Sequence, residues 1–525
     1  DLASAIYTKL RDAQGRAGRD FIAEVLQQRA NLTPSHPNWS PSAIMGDRTL
    51  ISISRAIVSS TESSPDRKNV YTGMSALATI AFEMGYQVSG SDIFSGENTC
   101  RLQEKGIPVF IGHSRERIKN ISAVVISSAI PPENVELQEA IQRNIPIIHR
   151  GEMLAFFLNQ KKGIAIAGTH GKTTTTSMIS LLLEVAGLDP TVLVGGEVED
   201  IGGNARFGNG EYFISEADES DGSFLKLNPY CAVITNIEDD HLEYYGSQEN
   251  ELNAFISFAN GVKEGGFMVA CGDHPNVQVM FNQPLKTNLM TYGMINGVVD
   301  VRGSMIEERA EGSLFRVTHR NQDLGSFILN IPGIHNVINS LACIAVGIKL
   351  GIDKKLIASA LEMFKGVKRR YERIGYVDGT LVVDDYAHHP TEMGVVLKTA
   401  LSRTLGKVIV IFQPHRYTRT KRLYREMAEI LKKAHQVILF PIYSAGEKPI
   451  EGITSNLIYD ELKKAGYDGV HMVSTIDEAL NITENLIGPG NILITMGAGD
   501  IWKVADSMCR KNGNQLRKST PVLRT

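Results

Sequence analysis

The sequence predicts an α/β protein of three domains, each built on a mainly parallel sheet. Three observations carry this. Short apolar runs that end in small or polar residues alternate with stretches of helical period along most of the chain. A glycine turn joins one such run, GIAIAG (163–168), to an apolar helix-like segment through Gly-Lys-Thr. The length, 525 residues, is enough for about two to four domains.

Composition narrows the class. Apolar residues at 43% and charged residues at 21% are ordinary for a globular protein. A net charge of −4 is too balanced for a polyanion-binding surface, so nucleic acid is not an expected partner. The five cysteines (Cys100, Cys231, Cys271, Cys343, Cys509) include no C-x-x-C pair, which argues against a disulfide framework or a thiolate zinc site and fits a reducing compartment. No apolar run reaches membrane-spanning length, so membrane insertion is not expected.

In chain order, residues 1–68 are expected to be a poorly ordered extension. They begin at Asp1 rather than methionine, as a fragment or processed product would, and 31–68 are rich in Ser and Pro. Acidic residues within 1–30 weaken a transit-peptide reading. Residues 69–160 hold four short apolar runs (YQVSGSD, IPVFIGH, SAVVISSAI, IPIIHR) separated by helical stretches, the pattern of a parallel sheet with crossover helices. Residues 161–365 open with GIAIAG and continue with GEYFISEADES and YCAVITNIEDDH; from roughly 266 to 330 shorter alternating segments read as hairpins beside the main sheet. The helix HNVINSLACIAVGIKLG follows. Residues 366–525 hold five buried-type strands (TLVVDDYAHHP, KVIVIFQPHR, QVILFPIYSAG, GVHMVS, NILITMGAGD), whose carboxyl ends gather polar groups where an open parallel sheet binds ligands.

The turn after GIAIAG carries the chemistry. It lacks the strict G-x-x-x-x-G-K-[ST] spacing, since Ile166 stands five residues before Gly171. The physical requirements of a phosphate loop are still met. A strand feeding a glycine turn into a helix collects free N–H groups and the positive end of the helix dipole. Gly168 and Gly171 permit close backbone approach, Lys172 can neutralise distal phosphates, and Thr173 can offer a hydroxyl to Mg2+. Two further strands end in acids: Glu216, Asp218, Glu219 and Asp221 after one, Glu238, Asp239 and Asp240 with His241 after the other. Carboxylates so crowded repel one another unless a cation sits among them, and Mg2+ with a triphosphate would serve. His241 is a weaker ligand on chemical grounds, because imidazole prefers softer ions.

GTHGKTTTT (168–176), EADESDGSFLKLNP (216–229), TNIEDDH (235–241), GIHNVINSLA (333–342), KRRYERIG (368–375), DDYAHHPTE (384–392), FQPHRYTRT (412–420) and MGAGDI (496–501) stand in the order found in the Mur ligases. The chain resembles that family over about residues 69–505, in its alanine-adding form. The shortened loop is the family's own. The resemblance implies an N-terminal Rossmann-like UDP-sugar domain, a central P-loop ATPase-like domain with a parallel sheet plus a small β part, and a C-terminal Rossmann-like ligase domain. It implies ATP and Mg2+ as cofactors, UDP-N-acetylmuramate and L-alanine as substrates, an acyl-phosphate intermediate, and a cytoplasmic location, or the plastid stroma if 1–68 is a targeting remnant. By the same resemblance Gly168, Thr169, His170, Gly171, Lys172, Thr173 and Thr174 would cradle the phosphates. Thr173 and Glu216 would bind one Mg2+ and His241 a second; His335 and Asn339 would contact adenine, and Asp385 the ribose. His415, Arg416 and Arg419 would hold the substrate carboxylate and the amino acid, and Gly73, Ser91 and Asp92 would lie at the sugar nucleotide. Lys172, His241, Arg416 and Arg419 are the candidate catalytic residues.

Plainer readings remain beside these. His335 also fits a helix cap, His388 and His389 fit a structural turn, and the two arginines fit a solvated helix start, although guanidinium pairs well with carboxylate. One departure stands out. The family has a loop of the form I-G-G-x-G-M before its first helix, whereas this chain reads KNVYTGM, with only Gly73 retained. A tripeptide-recycling ligase of the same sugar nucleotide and an inactive ATP-binding relative are the alternatives. The absence of lysine from 242–262, where other members carry a carbamylated one, agrees with the alanine-adding form.

Overall fold

Parallel strands need crossover connections, and the helices that supply them cover both faces of three separate sheets. The computed structural model describes residues 50–54, 72–198, 202–238, 241–295, 298–309 and 311–511. The first sheet is formed by β1 (Leu50–Ser54), β2 (Gln87–Asp92), β3 (Val109–Ile111), β4 (Ala123–Ile126) and β5 (Ile147–His149), ordered β3-β2-β1-β4-β5 and parallel throughout. Its helices are α1 (Thr72–Glu83), α2 (Glu97–Glu104), α3 (Val135–Gln142) and α4 (Arg150–Asn159). The middle strand, β1, lies inside the segment read from sequence as an extension; the rest of 1–68 lies outside the described residues. Five residues in a Ser- and Pro-rich setting are too short a periodic signal to stand out. The inner edges of β2 and β4 nevertheless need a hydrogen-bonding partner, which β1 supplies.

The central sheet has ten strands among the described residues, ordered β15-β14-β13-β12-β11-β10-β6-β9-β7-β8. They are β6 (Lys162–Ala167), β7 (Thr191–Val198), β8 (Gly203–Arg206), β9 (Tyr212–Glu216), β10 (Cys231–Ile234), β11 (Phe267–Cys271), β12 (Asn288–Gly293), β13 (Val301–Arg309), β14 (Gly312–His319) and β15 (Gln322–Leu329). β11 and β12 pair in parallel with their neighbours, so the antiparallel part within 266–330 begins only at β13; at the other edge β7 and β8 form a further antiparallel pair. The part within 266–330 also continues the main sheet through the β12–β13 pair instead of standing beside it, which corrects the sequence expectation. One face is covered by α5 (Lys172–Val185), α9 (Ile334–Lys349) and α10 (Lys354–Met363). The connections after β10 and β11 contain α6 (Leu242–Tyr245), α7 (Gln248–Asn260) and α8 (Pro275–Phe281).

The third sheet runs β16-β17-β21-β18-β19-β20: β16 (Glu372–Val377), β17 (Thr380–Asp385), β18 (Val408–Phe412), β19 (Gln436–Leu439), β20 (Val470–Met472) and β21 (Ile492–Met496). β16, absent from the sequence reading, pairs antiparallel at the edge. Helices α11 (Pro390–Leu401), α12 (Tyr417–Leu431), α13 (Asn456–Lys464), α14 (Ile476–Glu484) and α15 (Trp502–Lys511) complete the domain.

The apolar packing distinguishes the two domain junctions. One continuous cluster runs from Met74, Leu77, Phe157 and Leu158 of the first domain into Ala165, Phe213, Phe224 and Phe255 of the central one. The third domain keeps its own clusters on the two faces of its sheet, and its junction with the central domain is made by polar and charged contacts described below. Polar junctions of that kind permit relative motion.

Phe224 sits in the first junction, fully buried, with ring centroids 5.2 Å from Phe255 and 5.1 Å from Phe258. Phe224→Ala is expected to lower the stability of the unit formed by the first two domains by about 3–5 kcal/mol. A denaturant titration followed by intrinsic fluorescence and circular dichroism checks this.

Candidate active site

The strand order decides which groups meet. β6 runs into the glycine turn, and its neighbours in the sheet are β9 and β10. The acids that end β9 and the polar residues after β10 therefore flank the turn. Gly168 and Gly171 have φ of +131° and +82°, and Gly171 is the N-cap of α5. A Cβ at Gly168 would lie 2.2 Å from Thr235 Oγ1, and one at Gly171 would lie 2.7 Å from Asn339 Oδ1, so both positions require glycine. Asn236 holds the loop open: its Oδ1 accepts from the His170 N–H at 2.8 Å and its Nδ2 donates to the His170 carbonyl at 2.9 Å. Thr235 Oγ1 donates to the same carbonyl at 2.7 Å.

Lys172 folds back over the loop. Its Nζ donates to the Gly168 carbonyl at 2.5 Å and to Glu219 Oε1 at 2.6 Å. Burial pulls the ammonium down, but Glu219, Asp218 and Glu216 together carry it above the usual lysine range. His241 Nε2 lies 3.6 Å from the same Glu219 oxygen. Glu216 accepts from the Gly195 N–H at 2.6 Å, and Thr173 lies close enough to favour its charged form. Burial lifts its carboxyl against the pull of Gly195, Lys172 and Thr173. Lys172, Thr173, Glu216 and His241 are thus brought together at the loop. The expected crowding of acids is resolved differently. Asp218 and Asp221 face Arg150, at 2.7 and 3.6 Å, and accept from turn N–H groups of Ser220 and Ser223. Of the acids after β9 that are described, Glu216 and Glu219 turn toward the loop; after β10 Glu238 faces His170, and Asp239 and Asp240 lie outside the described residues.

His335 and Asn339 stand one turn apart at the start of α9, with Asn339 against Gly171. Burial, with Arg370 adding to it, takes the His335 imidazole down to about 4; its Nδ1 has no partner. A neutral ring with an unused nitrogen suits the edge of a base. Asp385 uses both oxygens on its own domain, accepting from the N–H of Tyr371 and of Ala387 at 2.7 Å each. Burial raises its carboxyl to about 7. Its remaining lone pairs are those a ribose would have to use.

In the third domain His415 is buried and stacked on Tyr443, with its Nδ1 3.1 Å from Arg419. His388 lies 5.3 Å from it, ring to ring. Burial first, and then His388, Arg419, Arg416 and Arg369, hold the His415 imidazole well below its usual range. Arg416 is exposed and has φ +69°, a conformation fixed by its N–H to the Tyr443 carbonyl at 2.8 Å.

The third domain meets the loop directly. His170 contacts Glu238 at 3.3 Å on one side and Glu392, from α11, at 3.1 Å on the other. Thr391 Oγ1 donates to Glu238 at 2.8 Å, and the His389 ring lies 5.4 Å from the His170 ring. Glu392 also lies 3.7 Å from Arg370 and 3.6 Å from His388, and Glu238 lies 3.9 Å from His274. Burial alone would lower His170, but Glu238 and Glu392 raise it to about 9. Sequence reasoning placed Glu238 in an acid cluster around a cation, whereas here it pairs with His170, and it gave Glu392 no role. Glu392, at the third helical position, reads as a helix cap, and only the folded chain puts it beside His170.

The remaining sequence candidates lie in the first domain. Ser91 and Asp92 are buried at the end of β2, where Ser91 Oγ donates to Glu136 at 2.5 Å and lies 3.0 Å from His113 Nδ1. A Cβ on Gly73, the second residue of α1, would lie 3.5 Å from Arg150, the same arginine that holds Asp218. Residues 69–71 of the KNVYTGM stretch lie outside the described residues.

A three-domain α/β chain with a phosphate loop at the meeting point of its domains is the architecture of an ATP-dependent ligase. Family models match in succession: Mur ligase family, catalytic domain, at 72–162; Mur ligase middle domain at 166–347; and Mur ligase, glutamate ligase domain, at 369–499. The chain belongs to the Mur ligase family. Among relatives, the UDP-N-acetylmuramate–L-alanine ligase of Dictyoglomus turgidum is 49% identical over 449 residues, covering 84% of this chain and 96% of that protein. The protein of the same name from Desulforamulus reducens is 44% identical over 441 residues, covering 84% and 95%. The crystal structure of UDP-N-acetylmuramate-alanine ligase from Thermotoga maritima superposes with a TM-score of 0.74 at 28% identity, covering 89% of this chain and 99% of that one.

The raised His170 gives the junction a pH signature. Stability from the His170⁺ pairs with Glu238 and Glu392 is fully present below about pH 6.5 and is lost as pH rises through about 9. Between those values the wild-type melting temperature is expected to fall more than that of His170→Gln. Scanning calorimetry of the two proteins across that range checks the difference.

Proposed function

We propose that this chain joins L-alanine to the carboxylate of UDP-N-acetylmuramate at the expense of ATP, a step of peptidoglycan precursor synthesis. The observation that carries the reading is the gathering of Lys172, Thr173, Glu216 and His241 at one loop, with the third domain's Glu392 and His389 against it. The near-full-length similarity to alanine-adding ligases supports the choice of acceptor.

Amide formation from a carboxylate requires a better leaving group than oxide. A carboxylate oxygen attacks the γ-phosphorus, the bond to ADP breaks, and an acyl phosphate forms; the neutral amine of L-alanine then attacks the acyl carbon, the bond to phosphate breaks, and the proton lost by nitrogen leaves with the phosphate as hydrogen phosphate. Lys172 and the N–H groups of the loop hold the phosphate oxygens. His335 and Asn339 receive the base, Asp385 the ribose, and Ser91 and Asp92 face the sugar nucleotide. His415, Arg416 and Arg419 orient the anionic ends of the reactants. Thr173 and Glu216 are neighbouring hard oxygen donors, a pair that fits Mg2+. When bound, Mg2+ would offset negative charge on the transferring phosphoryl group.

Incubation with ATP, Mg2+, UDP-N-acetylmuramate and L-alanine is expected to give the alanyl product, read by mass, with one ADP per amide formed. Product with tripeptide instead of alanine, or nucleotide binding without turnover, would replace this reading. Lys172→Ala is expected to cut kcat by at least about 10²–10³-fold, the loss typical of one preorganised charge-stabilising donor, with the melting curve retained.

A further inference from the structure

Glu219 is the deepest carboxylate at the loop, 1% exposed, and the roles above leave it without one. Its Oε1 faces two nitrogen groups, Lys172 Nζ at 2.6 Å and His241 Nε2 at 3.6 Å. Its Oε2 is buried and has no hydrogen-bond partner. The backbone around it is fixed: the Glu219 carbonyl accepts from Tyr245 Oη at 2.6 Å and from the Gly222 N–H at 3.1 Å. Tyr245 closes the short helix that begins just after His241, so this bond locks the acidic turn to the histidine segment.

An ion pair with Lys172 explains one oxygen and leaves the other unexplained, and a buried carboxylate oxygen without a partner is unfavourable. Lys172 is also the residue that a triphosphate draws toward itself, which would leave Glu219 facing phosphate oxygens of its own sign. A divalent cation between them answers both points. Neighbouring ligands of an octahedral Mg2+-type ion stand about 3 Å apart, and the Glu219–His241 separation of 3.6 Å is within a small side-chain rotation of that. Carboxylate oxygen with imidazole nitrogen also accepts Mn2+.

We propose that Glu219 is the carboxylate ligand of the cation that His241 holds, separate from the Thr173–Glu216 pair. The proposal rests on the ATP-dependent ligase reading of the site. It makes the acid three residues beyond Glu216 a cation ligand, so the strand end after β9 serves both cation positions.

The test counts bound Mn2+ on the full chain with a non-hydrolysable ATP analogue, using the electron paramagnetic resonance signal of free Mn2+. The wild type is expected to bind Mn2+ in two classes. Glu219→Gln, which preserves shape and a hydrogen-bond acceptor for Lys172, is expected to weaken one class by at least about tenfold, the least that loss of even an outer-shell partner costs, and to spare the other. His241→Asn should weaken the same class, and the double variant no further class. Unchanged Mn2+ binding in Glu219→Gln overturns the proposal, as does a single class in the wild type. Loss of nucleotide affinity with both classes intact also overturns it, since that result makes Glu219 only the counter-ion of Lys172. If the Gln variant melts early, Glu219→Asp replaces it: a tenfold or greater weakening of one class supports the proposal, and none overturns it. Neither sugar nucleotide nor alanine is present, so the result is independent of whether the chain makes the alanyl product.

Discussion

The contact on which the rest of the site depends is the 2.6 Å pair between Lys172 and Glu219. It exists because of strand order. β6 delivers the lysine, β9 delivers the acids, and the two strands are hydrogen-bonded neighbours in parallel, so their carboxyl ends open at the same level. The loop between β6 and α5 leaves almost no freedom: two glycines in left-handed conformations, an asparagine bonded to both the N–H and the carbonyl of His170, and a threonine hydroxyl filling the space a side chain would take. A cation held this way stays charged although buried, because the acids that balance it raise its affinity for its proton. The cost of dehydrating the lysine is met by fold geometry before any ligand arrives.

The domains communicate with this point through few side chains. Residues 195–197 of β7 are the densest relay. The Gly195 N–H binds Glu216, a Cβ on Gly196 would lie 3.1 Å from Thr173 and 3.3 Å from Val367, and Glu197 bridges Arg101 of the first domain to Lys368, at 2.6 Å each. Val367 and Lys368 precede the third sheet, so the segment leading into that domain touches the same strand end that positions the Thr173–Glu216 pair. Arg150 does the same from the first domain by holding Asp218 and Asp221 away from the loop. The first junction is apolar and continuous, the second is ionic. If one domain moves against the others during a catalytic cycle, packing energetics assign that motion to the third.

Much of this was legible in the sequence, and what was not has physical reasons. The parallel sheets were readable because apolar runs alternate with amphipathic stretches. The loop was readable because Gly-Lys-Thr after an apolar run has few packing explanations. The short strand Leu50–Ser54 was hidden by its surroundings, since its five residues acquire meaning only from the partners on either side. β11 and β12 were read as hairpin because they adjoin one in sequence, although their hydrogen bonds make them parallel. At the site, acids near Lys172 were visible as a cluster, but which ones face the loop was not. That division is made by Arg150, a residue of another domain, and no spacing rule connects 150 to 218. Glu392 was similarly masked by its ordinary role as a helix cap.

The third domain's polar cluster has an electrostatic asymmetry that bears on how it meets an anionic reactant. His415 is buried, and Arg416, Arg419 and Arg369 all work against its protonation. Arg369 is itself neutralised by Asp384 at 3.0 Å, whereas the His415–Arg419 contact joins a cation to a neutral ring. A carboxylate arriving beside Arg416 and Arg419 would supply negative charge at short range in a partly desolvated setting, where such interactions are strong. It would then favour the protonated His415 that burial and the neighbouring arginines disfavour. Burial is what makes this coupling possible, because in bulk water the arginines would be screened and His415 would titrate without reference to the reactant.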